Sequence, residues 1–406
     1  MLRFLTAGES HGQALVVIVE GLPSGLTFDP AVMAADLKRR QGGYGRGRRM
    51  AIESDTAEVL SGIRKGQTLG GPVALVVRNR DWTNWQNTMH VGPEPPPDAT
   101  GARRGAVTRP RPGHADLAGA LKYERDDMRD ILERASARET TMRVAAGALA
   151  RQLLAHFGIT VGSHVFRIGP EGTSDGSHVT WADVQAIPAD SPLHCADPAA
   201  EARMIAQIDK AREAGNTMGG AFEVIAHDVP VGLGSHVQWD RKLDGRLAQA
   251  LMSIPAIKAV GIGVGPLVAE RPGSEVHDEI VLPAAGTAPR DVGVARPTNR
   301  AGGLEGGITN GEDVRVTAYM KPIATLMQPL RSVDLATGVE SPAAIERSDV
   351  CAVPAAAVVG EAMVCLVLAD AFLEKFGGDS IAEIAANLES ARARVRAHFS
   401  PTNVTA

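Results

Sequence analysis

Leu22-Pro-Ser-Gly-Leu26 and Val229-Pro-Val-Gly-Leu233 are the two stretches that decide the fold. Each follows an apolar, strand-like run and precedes a stretch with helical spacing. In the first copy the run is Leu15 to Val19, closed by Gly21, Pro23 and Gly25, which reads as a buried strand and a turn. A helix is expected from Pro30 to Arg40. Farther on, Gly62-Ile-Arg-Lys-Gly66 and Gly307-Ile-Thr-Asn-Gly311 resemble one another, and each precedes another strand, Val73 to Val77 in the first copy. Two matches in the same order point to a duplicated β–α–β unit, with halves at about residues 15–80 and 221–325. Chance likeness between Gly/Pro turns is the alternative.

Working outward, Ser136 to Phe157 is the clearest helix and lies between the copies. Met142, Ala145, Ala146, Leu149, Leu153 and Phe157 keep helical spacing, and Gly158 supplies the stop. Ser136 with Glu139 has the pattern of a capping box, as does Ser380 with Glu383 at the start of a helix running to about His398. Ala352 to Leu368 is the most apolar region; Pro354 and Glu361 interrupt it, so it reads as a buried core helix rather than a membrane span. The glycine-rich segment at about 41–50 and the polar, proline-rich segment at about 80–111 are expected to be mobile loops. No low-complexity linker divides the halves. The expectation is one large α/β (α+β) domain.

Composition narrows the function. With 44% hydrophobic and 22% charged residues the 406-residue chain has the make-up of a soluble globular protein, and its apolar content excludes disorder throughout. Only 4% is aromatic, so the core must be Ala, Val, Leu and Ile. A net charge of -5 gives no global positive field to recruit nucleic acid. Cys195, Cys351 and Cys365 lie in no metal-ligand spacing and read as reduced thiols. No signal peptide is visible, which agrees with a cytoplasmic location.

Five segments carry candidate chemistry. In Gly8-Glu9-Ser10-His11-Gly12, glycines flank a histidine beside a hydroxyl that can orient it or relay a proton. Arg109-Pro-Arg-Pro-Gly-His114-Ala-Asp116 puts a second histidine in a rigid turn. Imidazole titrates near neutrality, so two histidines can share proton traffic. Neither has the partners of a zinc site, and no protein-held metal is expected. Arginines cluster at Arg39, Arg40, Arg46, Arg48 and Arg49, and Arg134 and Arg138 frame the start of the central helix. Guanidinium groups and a helix N-terminus both suit phosphate or carboxylate. A solvated charged surface and an RNA-binding patch are the alternatives; no aromatics interleave for base stacking. Gly302-Gly-Leu-Glu-Gly-Gly-Ile-Thr-Asn-Gly311, with Lys321-Pro-Ile-Ala-Thr325, can admit a flat ring or a phosphate, though its spacing is not that of a P-loop; a ligand-free hairpin is the alternative. Finally, Arg347-Ser-Asp349 sets a carboxylate before the apolar helix, where an N-terminal cap is the plain reading.

Together these segments resemble the chorismate synthase family, in the family's order and over nearly the whole chain. The resemblance runs through Gly8-Glu-Ser-His-Gly12, Arg111-Pro-Gly-His-Ala-Asp116, Arg134-Ala-Ser-Ala-Arg-Glu-Thr140, Gly302-Gly-Leu-Glu-Gly-Gly307, Lys321-Pro-Ile-Ala-Thr325 and Arg347-Ser-Asp349. It implies a β–α–β sandwich with internal duplication, assembled as a homotetramer. It also implies a lyase that converts 5-enolpyruvylshikimate 3-phosphate to chorismate and phosphate by 1,4-elimination, requiring reduced FMN without net redox change. By this likeness Arg40, Arg46, Arg111 and Arg138 bind the substrate anions or, where a member uses it, NADP. Arg134, Ala135, Ser136, Pro255, Ala256, Gly306, Lys321, Pro322, Ile323, Ala324, Thr325 and Arg347 bind FMN. His11 protonates the departing phosphate, His114 manages a proton beside the flavin, and Asp349 with Ser10 assists deprotonation at flavin N5. Ala135 departs from the Arg-Ser-Ser common in the family and removes one hydroxyl contact. No G-x-G-x-x-G follows a strand, so reduced flavin is expected from an external reductase. No nucleic-acid or membrane partner is expected. The opposing reading is an inactive anion-binding or RNA-binding protein built on the arginine loop.

Overall fold

The computed structural model describes residues 1–47, 55–173, 176–283, 292–345 and 349–398. The first half opens with the antiparallel strands β1 (Arg3–Ala7) and β2 (Ala14–Glu20). Helix α1 (Pro30–Gln41) follows, where Asp29 accepts the amide of Ala31 and proline fills the first turn. Strands β3 (Ala57–Ser61) and β4 (Val73–Arg78) complete an antiparallel sheet in the order β1-β2-β4-β3. Helix α2 (Thr140–His156) ends the half.

The second half repeats this plan with β5 (Thr160–Ile168), α3 (Pro198–Glu213), β6 (Gly220–His227), α4 (Leu243–Met252), β7 (Ile257–Ile262), β8 (Val314–Met320) and α5 (Val353–Phe376). Its sheet has the matching order β5-β6-β8-β7, with the two-residue strand Glu171–Gly172 added beside β5. Helix α6 (Ile381–His398) closes the chain, and the expected capping box is present: Glu383 accepts the Ser380 amide while the Ser380 hydroxyl accepts that of Glu383.

Alternation along the strands fixes the layers. Leu15, Val17 and Val19 of β2 and Phe222, Val224 and Ala226 of β6 point inward and are buried. Helix α2 packs on β2 and β4, α5 packs on β5 and β6, and the two helices pack on one another; α1 lies along α2 and α4 along α5. The architecture is a β–α–β sandwich. Where α2 meets α5, a side chain on Gly147 would lie 2.4 Å from the Ala362 Cβ, so only glycine permits this approach. Helix α5 is long and apolar enough to cross a membrane, yet it lies in the central layer. Within it Glu361 is fully buried and takes hydrogen bonds from Arg39 of α1, Arg151 of α2 and Ser163 of β5.

The duplication extends to individual hydrogen bonds. The Thr68 hydroxyl donates to the Pro23 carbonyl (2.6 Å) and accepts the Leu26 amide (2.9 Å). The Thr309 hydroxyl does the same for Pro230 (2.7 Å) and Leu233 (2.8 Å). These threonines end the hairpins Ile63–Arg64/Gln67–Thr68 and Leu304–Glu305/Ile308–Thr309. The pairing therefore sets Gly62 against Gly303 and Gly66 against Gly307. The alignment of Gly62 with Gly307 suggested by sequence is four residues out, because so dense a glycine run fits several registers.

Two other local expectations change. Ser136 accepts the Arg138 amide and begins a 3₁₀ turn, Ala137–Glu139, but Glu139 binds Thr6 and Arg143 instead of closing a capping box. The stretch 80–111 contains two short helical turns, Arg80–Asn84 and Gln86–Met89.

Candidate active site

The first cluster hangs on the turn between β1 and β2. Gly8 has φ +108°, and a side chain there would lie 2.4 Å from the Ala14 carbonyl, so the turn itself demands glycine. His11 is held by Glu133, whose carboxylate accepts the His11 amide (2.8 Å) and lies 2.9 Å from ring Nδ1. The imidazole stacks on Trp85 with centroids 3.8 Å apart. Ser10 is buried; its amide donates to the Glu133 carbonyl and its hydroxyl accepts that of Ser136 at 3.1 Å.

Asn79 carries the network inward. Its amide donates to the carbonyls of Glu9 and Gly12, while its side-chain oxygen accepts from Arg138. Arg138 and Arg40 both clasp Asp55, the latter at 2.5 Å, and all three side chains are buried. Burial opposes ionisation of Asp55, but Arg40 and Arg138 outweigh it and hold the carboxyl below its ordinary range. Burial also pushes the Arg40 guanidinium down to about 10 despite Asp55, and the nearby charges of Arg138 and Arg46 add to that effect. Arg46 in turn donates to Asp349 (2.6 Å), which also accepts the Gly47 amide (2.6 Å). The Gly45 carbonyl takes the amide of Val350, pinning this loop beside the start of α5.

A second cluster surrounds His114. Its Nδ1 lies 2.5 Å from Asp116, a fully buried carboxylate that Arg111 grips through Nε (2.8 Å) and Nη2 (3.1 Å). Burial would raise the Asp116 carboxyl; hydrogen bonds from His114 and Arg111, with the Arg111 charge, hold it well below the usual range. Arg111 also donates to Thr325, and Lys321 to the Gly113 carbonyl. Burial, and secondarily the charge of Lys258, lowers the Lys321 ammonium pKa.

Beside the first cluster lies a cleft of about 430 Å³, with Arg134, Ala135, Ser136, Arg143, Ser253 and Pro255 among its lining residues. Ser136 joins it to the Ser10 turn, and next to Pro255 the Ala256 carbonyl accepts the amide of Lys321, whose ammonium reaches Gly113. The structure thus gathers most of the expected site residues into one neighbourhood. Gly306 lies on the turn of the Leu304–Thr309 hairpin, facing His236. Arg347, like Arg48 and Arg49, lies outside the described residues. Asp349 does not cap α5, which starts at Val353 after Ala352; its carboxylate binds Arg46 instead. Arg111 gives two of its donors to Asp116.

Sequence reasoning missed Glu133, Asp55, Asn79 and Trp85. Glu133 is 122 residues from His11, and no local pattern marks it. Asp116 stood inside a quoted motif, and its i+2 position from His114 was the one available signal.

The chorismate synthase family model matches residues 2–373. The chain belongs to the chorismate synthase family. Relatives named chorismate synthase include one from Moorella thermoacetica, 58% identical over 97% of this chain and 98% of its own, and one from Geobacter metallireducens, 55% identical over 96% and 98%. A crystal structure of chorismate synthase superposes with a TM-score of 0.76 at 42% identity, covering 98% of both chains. The chain is therefore an enzyme, a lyase of aromatic amino-acid biosynthesis acting on a small molecule. Its reaction is the family's, the elimination of phosphate that yields chorismate. The family implies a flavin, and the cleft has a lining that could take one: Phe4, Leu5, Pro255 and Met363 offer apolar surface, Arg134, Arg143, Ser136 and Ser253 offer charge and donors, and Glu139 adds a carboxylate.

Proposed function

We propose that the chain carries out this elimination on 5-enolpyruvylshikimate 3-phosphate, with reduced FMN held in the cleft. The observation that carries the reading is the polar network running from the His11 turn to Asp349. Arg40 and Arg138 bind the Asp55 carboxylate and Arg46 binds that of Asp349, three guanidinium groups against two carboxylates, an excess that suits a substrate with one phosphate and two carboxylates. Those three arginines would bind the anions, with Arg111 contributing at the His114 end. His11 would donate a proton from Nε2 to the departing phosphate oxygen. His114, braced by Asp116 through Nδ1, would hold a proton at Nε2. Asp349, hydrogen-bonded to Arg46 and the Gly47 amide, would accept a proton, with Ser10 aiding at the other end of the network.

Arg134, Ser136, Pro255, Ala256, Lys321, Pro322, Ile323, Ala324 and Thr325 would hold FMN, with Ala135 serving through its backbone. Reduced FMN, when bound, supplies an electron-rich ring that promotes loss of phosphate without net redox change. The glycine-rich loop, through Gly42 to Gly47, would close over the substrate. Family likeness supports a cytoplasmic homotetramer, and the lack of a dinucleotide motif supports an external flavin reductase.

The test is an anaerobic phosphate-release assay with reduced FMN below the substrate concentration. Many turnovers per flavin are expected. Flavin oxidised in step with product would overturn the reading. In the same assay Asp349→Asn should lower turnover by roughly 10–100-fold, the scale of a lost charged hydrogen bond, while melting near wild type because no helix cap is lost. Wild-type turnover would remove Asp349 from the mechanism.

A further inference from the structure

We infer that Glu133 is the positioning residue of His11: it fixes the ring's tautomer and aim, so that Nε2 is the nitrogen offered to the substrate. The inference rests on the reading of His11 as the acid. Glu133 arrives from the turn Arg129–Leu132, and its side chain is 1% exposed. It grips the histidine at two places, accepting the backbone amide and meeting Nδ1 with both carboxylate oxygens. Its own carbonyl accepts the amide of Ser10, so one residue sets both the turn and the ring.

An ionised carboxylate can only accept hydrogen bonds, so the Nδ1 it faces must carry hydrogen. That leaves Nε2 as the nitrogen that gains and loses the proton. Ring rotation, which would swap the nitrogens, is opposed by the stack on Trp85. Trp85 is itself fixed: its indole N–H donates to Asp81 at 2.9 Å, and the Arg104 guanidinium lies 4.0 Å from its ring. Arg129, 3.7 Å from the Glu133 carboxylate, pairs with it and helps hold it in place. A structural tie alone would need only the amide contact; the bidentate approach to Nδ1 is the part a catalytic role explains.

The test combines ¹⁵N NMR of His11, its signals assigned by their loss in His11→Ala, with steady-state phosphate release. Wild type should show Nδ1 protonated. Glu133→Gln should mix the tautomers and lower kcat by roughly 10–100-fold, leaving KM within about twofold, as expected when an interaction serves the transition state. Glu133→Asp, which keeps the charge, should restore the ¹⁵N pattern and part of kcat. It also serves as the reporter should Glu133→Gln fail to fold. In a His11→Ala background, Glu133→Gln should cost less than about twofold more, because the two residues act as one unit. An unchanged ¹⁵N pattern in Glu133→Gln, or an equal loss in both backgrounds, would overturn the inference. If His11→Ala alone kept near-normal turnover, the acid reading of His11 would fall, while the tautomer measurement would still report on Glu133.

Discussion

The two halves share a scaffold and divide the chemistry unequally. Sheet order, the threonine-locked hairpin and the helix after the last strand recur in both. The connections do not. In the first half, the β1–β2 turn holds Ser10 and His11, and the passage from β4 to α2 holds Asn79, Trp85, Arg111, His114, Asp116 and Glu133. In the second, the passage from β8 to α5 holds Lys321–Thr325 and Asp349, while the β5–β6 connection covers its own sheet. Beneath that cover, His164 and Arg315 bind the buried carboxylate of Glu223, and Arg315 donates to the Gly176 carbonyl. The matching outer face of the first sheet leaves Leu5 73% and Ile18 45% exposed. Duplication preserved the frame, and function was written into the segments that join it.

That contrast can be broken by substitutions that separate turnover from stability. His11→Ala and His114→Ala, both in connections, should each cut phosphate release by roughly 10²–10⁴-fold with the melting temperature nearly unchanged. A near-normal rate in either would return that histidine to a structural role. Glu361→Gln should do the reverse, lowering stability by about 3–5 kcal/mol because Arg39 and Arg151 lose a buried partner. Acid titration sharpens this. Burial opposes the Glu361 charge, but Arg39 and Arg151 hold its pKa far below the ordinary 4.5. A depressed folded-state pKa stabilises the fold above the unfolded value, so stability should fall as pH drops below about 4.5, and less steeply in Glu361→Gln. An unaltered acid slope would remove Glu361 from that account.

The smallest effect tests the duplication itself. Thr68→Val and Thr309→Val each remove a hydroxyl that serves one carbonyl and one amide. Chemical denaturation should show similar losses of roughly 1–3 kcal/mol for the two variants. A large loss in one and none in the other would mean that the halves no longer share the load.

Periodicity and caps made the elements legible: the helices from Pro30, from Ser136 and from Ser380 and the strands around Leu15 and Val73 stand close to their expected places. The motifs named the family and most of the site. What stayed hidden has a common cause, since a buried charge is placed by partners far away in sequence. Nothing beside Asp55 announces Arg40 and Arg138, and Arg138 is 83 residues distant. Glycine concealed the repeat register for the opposite reason, because residues 302–311 fit too many alignments.

The close contact of α2 with α5 has a consequence for synthesis. One face of α2 meets the first sheet at once, but its other face waits for α5, which begins at Val353. About 200 residues separate the two, so at ~5–20 residues per second roughly 10–40 s pass before the cover is made. Throughout that interval a ribosome-bound chain carries an apolar helix face without its permanent neighbour. Chains stalled before Val353 should bind chaperones that chains released after Phe376 do not.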